Sequence, residues 1–283
     1  MKPFISHHDN SNAFPVRRAL LVCSALAAIY GTNVALAQAP SSGSDEPSKA
    51  QPEMQPQAVD ALNKLGNYVR GMKSFRIDAD SVTDGVLSTG QNIGFLHHTE
   101  MSVQRPDKVR IVISGSRAPK GMVYDGRSVV LFDNTHHYYS KVPAPPTIHQ
   151  LVADIDEKYG VQVPLVDLFY WGQQSDDEKA LTSAIFVGLD KVDGKWCNHY
   201  AYQQPGLDWE LWIQSGSRPL PCRFVVTDTT QPSRPQHAVN YRWTLNPSFS
   251  PATFAFHPGA GARMIPLRAP GAASGEDQQG DAK

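Results

Sequence analysis

Apolar residues recur along this chain at two different periods, and the switch between them divides it into elements. Val59, Leu62, Leu65, Val69 and Met72 fall at three- and four-residue steps. That spacing lines one face of an α-helix, and Gly71 stands near its end. From Phe75 the period becomes two. Phe75, Ile77 and Ala79 alternate with Arg76, Asp78 and Asp80. Ile93, Phe95, Met101 and Val103 follow at odd positions, and Val109, Ile111 and Ile113 alternate with Arg110 and Val112. Alternation of this kind marks strands with one buried face. Asp125-Gly126 between two apolar runs is a hairpin signal. Residues 137–141 make one more short strand, and Pro143, Pro145 and Pro146 end the pattern.

The middle of the chain reads as helical. Thr147 is placed to cap a helix carrying Ile148, Leu151, Val152 and Ile155 and stopped at Gly160. Pro164 starts a short apolar helix through Leu168, Phe169 and Trp171. Ser175, followed by Asp176, Asp177 and Glu178, reads as an N-cap with acids in the first turn. Strands then resume over 184–189, 196–203, 208–213, 222–228 and 237–245, with turns at Asp193-Gly194, Gln204-Pro205-Gly206 and Ser215-Gly216-Ser217. About eleven strands joined by short turns predict an antiparallel meander. A sheet of that size must curl. The expected class is therefore α+β, with helices covering the concave face of one strongly curved sheet.

The two ends differ from this body. Arg17 and Arg18 precede an apolar run from Ala19 to Tyr30, and Ala35-Leu36-Ala37 follows before Gln38. This is the charged, apolar and small-residue order of a secretory signal peptide, expected to span 1–37. The apolar run is shorter than the roughly 20 residues of a membrane span. Residues 38–56 are rich in Pro, Ser, Gln and Gly and read as a disordered linker. The globular domain is expected over 57–267, and 268–283 as a disordered tail.

Composition narrows the function classes. The 283 residues carry a formal charge of −1, which is no footprint for nucleic acid. Cleavage after Ala37 removes Lys2, Arg17 and Arg18 against Asp9 alone, so the remainder is more acidic. An acidic surface does not dock electrostatically on anionic lipid. No further run is apolar enough to span a bilayer.

Several residues together carry a resemblance. They are Tyr124-Asp125-Gly126, the stretch from Asp193-Gly194 through Cys197 and His199, Asp208-Trp209 with Trp212-Ile213, Pro219-Leu220-Pro221, and Ala252 to Phe256 followed by Pro258 and Gly259. In these the chain resembles the predicted periplasmic proteins of unknown function that share the lipoprotein-carrier (LolA/LolB-like) fold. The resemblance spans about 57–267. It implies an open half-barrel lidded by helices, with an apolar cavity that can receive acyl chains. No functional residue of the carriers matches this chain position by position.

Candidate chemistry is sparse. His97-His98 and His136-His137 invite a metal reading, but neighbouring strand residues point to opposite faces, so neither pair can close on one ion. No metalloprotease, nucleophile-elbow, phosphate-loop or dinucleotide motif is present. Asp125 is better explained by its turn than by acid catalysis, and Asp154, Asp156 and Glu157 by a solvated helix face. Trp209 shares a strand face with Leu211 and Ile213, and Trp212 the other face with Glu210. One indole is therefore expected inside and the other outside. No enzyme activity, metal or cofactor is expected.

Cys197 and Cys222 remain after cleavage. An exported pair suggests a disulfide. Register argues otherwise: pairing Gln203 with Asp208 and Ile213 with Leu220 separates the cysteines by a whole strand. That leaves them about 9.5 Å apart, beyond the roughly 7 Å a bond allows, and on opposite faces. The expectation is two free thiols.

The inner face should hold Phe75, Ile77, Ile93, Phe95, Val109, Ile111, Trp209, Leu211, Phe224, Val226, Tyr241 and Trp243. Leu151, Ile155 and Phe169 would come from helices across the opening. Of these, Phe75, Ile93, Phe95, Val109, Ile111, Trp209, Leu211, Phe224, Trp243, Leu151, Ile155 and Phe169 form the expected cavity wall. The predicted function is a periplasmic, non-catalytic binder of an apolar ligand such as a lipid or acyl chain. The alternative is an interaction or sensor module for envelope proteins with a filled core.

Overall fold

The computed structural model describes residues 53–115, 119–171 and 179–269. The signal segment, most of the linker, the Ser175 cap and the tail from residue 270 lie outside the described residues.

The chain opens with α1, Pro56–Gly71, whose Pro56 sits in the first turn where no N–H partner is lost. It buries Ala58, Leu62, Leu65 and Val69. Six strands follow: β1 (Ser74–Val86), β2 (Asn92–Gln104), β3 (Lys108–Ser114), β4 (Lys120–Tyr124), β5 (Ser128–Asp133) and β6 (Tyr138–Pro143). Two helices interrupt: α2, Ile148–Tyr159, and the single turn α3, Asp167–Tyr170. Five strands resume: β7 (Ser183–Val192), β8 (Lys195–Gln204), β9 (Leu207–Gln214), β10 (Pro221–Asp228) and β11 (Gln236–Leu245). A 3-10 turn at Pro251–Phe254 precedes a last short strand, β12, Arg263–Met264.

All twelve strands form one sheet in the order β12-β6-β5-β4-β3-β2-β1-β11-β10-β9-β8-β7. The sheet is curved and open, with distinct strands at its two ends. β1 joins the halves by pairing with β2 on one side and β11 on the other. Every pairing is antiparallel except β12 with β6. That twelfth strand is an addition to the expected meander. Its two residues carry no alternation; backbone pairing places them, with the Arg263 guanidinium over the Tyr138 ring at 5.8 Å.

The core lies between one sheet face and the helices. Phe75, Ile77, Ala79, Met101 and Ile111 share that face and are fully buried. Ile148, Leu151, Val152 and Ile155 of α2 bury against the same cluster. Thr147 caps α2 by accepting from the Gln150 N–H at 3.3 Å, and Gly160 ends it at φ 62°. Gly66 lets α1 approach the chain after α3. A Cβ there would stand 1.9 Å from the Trp171 carbonyl oxygen, which instead accepts from Arg70 Nη1 at 2.6 Å.

The β4–β5 connection is wider than a two-residue turn, since Tyr124 pairs with Val129. Asp125 Oδ1 organises it, accepting the Arg127 and Ser128 N–H groups at 2.9 and 2.8 Å. Gly126 takes φ +89°, and a Cβ there would meet the Asp107 carboxylate at 2.5 Å. Gly126→Val is therefore expected to lower the stability by about 1–2 kcal/mol, the scale of strain for a β-branched residue at positive φ. A urea midpoint equal to that of the wild type would contradict this.

Cys197 and Cys222 are bonded, with Cα atoms 6.7 Å apart, which corrects the expectation of free thiols. The error lay in the register of β10. Pro221 pairs with Ile213 but Arg223 pairs with Trp212, so Cys222 is the extra residue of a β-bulge. Pro221 has no N–H to lose from the ladder there. The bulge resets the alternation, turns Cys222 toward the face of Cys197 and closes the distance across β9.

Candidate functional site

Strand alternation keeps the sheet's inner face apolar near its middle and changes it toward one end. On β1 the series Phe75, Ile77, Ala79 continues as Ser81 and Thr83. On β2, Val103 and Met101 give way to Thr99 and His97, and on β11 the position opposite Thr83 is His237. Where these polar positions begin, the helices no longer press on the sheet. A cleft of about 440 Å3 opens between them, within the roughly 300–1,000 Å3 of small-molecule sites.

Its sheet wall is Ile113, Lys120, Gln204, Leu207, Trp209, Phe224, Val226, Val239 and Tyr241, with Ser81, Thr83, His97, Thr99 and His237 at the polar end. Its helix wall is Val152, Ala153 and Asp156 of α2, residues 161–166, Asp167 and Tyr170 of α3, and Trp171. The aromatic wall is fixed by its own packing. Trp209 stacks on Tyr202 with centroids 4.0 Å apart, and Phe224 meets Trp209 and Trp171 edge-on at 6.0 and 5.4 Å. Trp209 Nε1 donates to Gln204 Oε1 at 3.3 Å.

At the polar end His237 Nδ1 lies 2.8 Å from Thr83 Oγ1. Burial pushes this imidazole down to about 4, and the neighbouring His97 adds to the shift. The group is therefore neutral at neutral pH. Burial, and then the charge of Asp167, raises the Tyr241 hydroxyl well above its ordinary value.

Of the twelve residues expected to wall the cavity, Trp209 and Phe224 line this cleft. Phe75, Val109, Ile111, Leu211, Leu151, Ile155 and Phe169 lie in the packed core. They form the floor that supports the cleft. Trp243 is half-buried away from it, against Phe75 at 5.4 Å and donating to the Pro221 carbonyl at 2.9 Å. Ile93 and Phe95 depart from the expectation: they are 38% and 54% exposed. They occupy the inner face by parity, but no helix reaches their end of the hairpin. The polar lining, Ser81, Thr83, His97 and His237, is missing from the expected set. Its signal was the break from apolar to hydroxyl and imidazole side chains at unchanged parity.

The remaining candidates resolve into packing. His97 faces the cleft, whereas His98 faces the other side and bonds Asp80 at 2.7 Å. Asp78, His98 and Glu100 bring ligand atoms within 4.8 Å of one another. The Arg76 guanidinium already bonds Asp78 at 3.2 Å and Glu100 at 2.7 Å. Trp212 lies outside, stacked on His199 at 3.9 Å and donating to Asp190 at 2.8 Å. His199 is itself held by Glu210 at 2.8 Å and Asp190 at 3.3 Å. Both its nitrogens are thus engaged in holding the outer face together. A second cavity of about 620 Å3 lies on that face under the C-terminal segment, where Phe256 stacks on Phe132 at 5.6 Å.

Residues 58–268 match the family described as "Predicted periplasmic protein (DUF2092)". The chain belongs to that family. The match begins in α1 and runs past β12, so it takes in the whole sheet. Within this DUF2092 protein the residues behind the sequence resemblance are architectural. Tyr124 donates its hydroxyl to the Pro145 carbonyl, Asp193 and Gly194 make a turn at φ 46° and 79°, and Phe254 is buried.

Among curated proteins none matches the chain. Solved structures are similar at low identity. The lipoprotein LppX of Mycobacterium tuberculosis is 9% identical with a TM-score of 0.45, covering 69% of this chain and 98% of that one. MucB is 14% identical with a TM-score of 0.44, covering 72% and 64%. A LolA superfamily protein from Nitrosomonas europaea is 13% identical with a TM-score of 0.35, covering 70% and 97%. None of these likenesses carries a function across. Among the described residues no helix is long and apolar enough to cross a membrane.

Proposed function

We propose that this DUF2092 protein is a non-catalytic periplasmic binder of an apolar ligand, a lipid or acyl chain, held in the cleft between sheet and helices. The observation that carries the reading is the cleft itself. It has rigid aromatic walls of Trp209, Phe224 and Trp171 and aliphatic walls of Val226, Val239 and Val152. An acyl chain lying along them is stabilised by about 0.8 kcal/mol per buried CH₂, before the cost of ordering. Export would follow from the N-terminal segment ending at Ala37. An envelope interaction module with a filled core fits an open cleft less well.

The test is binding of a fluorescent fatty acid to the purified protein. Ala153 is exposed on α2 and lines the cleft, so Ala153→Trp fills the opening without disturbing the core. Probe affinity should fall at least about tenfold, roughly the worth of one or two lost CH₂ groups. Stability should stay within about 0.5 kcal/mol, as for surface changes. Thr244→Glu, on the outer face, should leave binding unchanged. A wild type that takes up no probe refutes the reading.

A further inference from the structure

The far end of the β1–β2 hairpin exposes apolar side chains on both faces. Ile93 and Phe95 are exposed on its inner face, and Val82 and Leu96, which pair with each other, are exposed on its outer face. Val86 and Leu87 are exposed at the tip. Leu96 has the largest exposure, 73%. No residue from Gly85 through Leu96 is charged. Soluble surfaces scatter single apolar residues, and a contiguous group of this kind marks a contact site.

The ribbon there is closed by its own turn. β11 leaves β1 at Thr83, and β3 leaves β2 at His98. The rungs beyond, from Asp84–Gly94 to Val86–Asn92, belong to the two strands alone. The turn closes on itself through Leu87 N–H to the Gln91 carbonyl at 2.9 Å and Gly90 N–H to the Leu87 carbonyl at 2.8 Å. The segment from Ser233 to Gln236 braces one side, Asn92 Nδ2 donating to the Ser233 carbonyl at the last rung and the Gln236 N–H to Asp84 two rungs below.

We infer that this hairpin docks on a lipid bilayer, its tip entering the interface between headgroups and acyl chains. A protein surface covers one face of a ribbon. Here apolar side chains stand exposed on both faces, Ile93 and Phe95 on one and Val82 and Leu96 on the other, which suits a medium that reaches both sides of the ribbon. The absence of charge from Gly85 through Leu96 agrees with that medium, and the nearest acid, Asp84, is held by the Gln236 N–H. The site is continuous with the cleft: Thr83, opposite Phe95, and His97, opposite Ser81, both line it. A docked hairpin would therefore hold the polar mouth of the cleft against the membrane. That last step rests on the ligand-binding reading, whereas the docking does not.

The test is flotation of the exported protein with vesicles of phosphatidylcholine, which carry no net charge. The wild type should float with the vesicles and stay bound as salt is raised. Leu87→Asp with Leu96→Asp should reduce partitioning by at least about a hundredfold, about tenfold for each apolar side chain withdrawn. The same double variant should still bind the fatty-acid probe in solution, which separates failure of docking from failure of the cleft. The inference is overturned by a wild type that does not float, by equal flotation of the variant, or by release in salt. It is also overturned if the wild type proves a dimer that the double variant splits, because the occupant is then a second copy.

Discussion

Replacing both cysteines, Cys197→Ala with Cys222→Ala, should lower the unfolding free energy by about 3 kcal/mol. The bond spans 25 residues, and closing a loop of that size removes about that much entropy from the unfolded chain. The strands inside the loop, β8, β9 and the start of β10, are already paired to one another, so the folded state should keep its shape. The measurement is a urea midpoint for wild type and variant, each with and without reductant. Wild type in reductant, once fully reduced, should match the variant. Both sulfurs are buried, Cys197 completely and Cys222 at 5% exposure, so reduction should wait on local unfolding and be slow. A wild type whose midpoint ignores reductant after complete reduction would remove the bond from the stability account.

The second large effect concerns pH. His237 titrates near 4 in the folded protein and near 6.5 when unfolded. Between those values the unfolded chain binds a proton that the folded one refuses. Stability is therefore full above about pH 6.5 and is lost as pH falls toward 4. The complete difference would amount to about 3 kcal/mol. His237 borders an open cleft, so about 2 kcal/mol is the expected loss. The readout is the stability of wild type and His237→Gln at about pH 7 and about pH 4.5. The variant should lose about 2 kcal/mol less over that interval. Parallel curves for the two proteins would mean that the imidazole is not held neutral.

Sequence alternation was a good guide where a side chain's face decides its fate. Phe75, Ile77 and Ala79 fall inward and are buried as their parity requires. Trp209 and Trp212 part to opposite faces, and His97 and His98 do the same. Turns were legible where glycine must take positive φ, as at Gly126 and Gly194. Two things escape a period of two. One is a single inserted residue: the bulge at Cys222 shifts the register by one position and so reverses the outcome for the disulfide. The other is depth. Parity assigns Phe95 to the same face as Met101, yet one is 54% exposed and the other fully buried, because helix cover depends on the path of residues 144–171 across the sheet. For the same reason the cleft's wall was only partly legible. The core residues Ile111 and Leu211 read identically to Val226, which lines the opening.

The two borders of the sheet have a consequence for how the protein tolerates crowding. An open sheet presents unpaired amides at each end, and such rims recruit other chains into aggregates. Here part of each rim is covered by a segment distant in sequence. Along β7, the Gln55 N–H donates to the Ala184 carbonyl and the Ala184 N–H to the Glu53 carbonyl, both at 2.8 Å. Gln55 Oε1 also accepts the Phe186 N–H at 2.9 Å. Along β6, the Arg263 N–H donates to the His137 carbonyl at 2.8 Å and the Ile265 N–H to the Tyr139 carbonyl at 2.9 Å. Residues 53–55 and 263–265 thus act as selvedges over those stretches, where no other thread can be taken up. Trimming the chain past Gln55 or back beyond Arg263 would leave the core packing intact and expose an adhesive rim. Shortened versions of this protein should therefore fail by polymerising before they fail by unfolding.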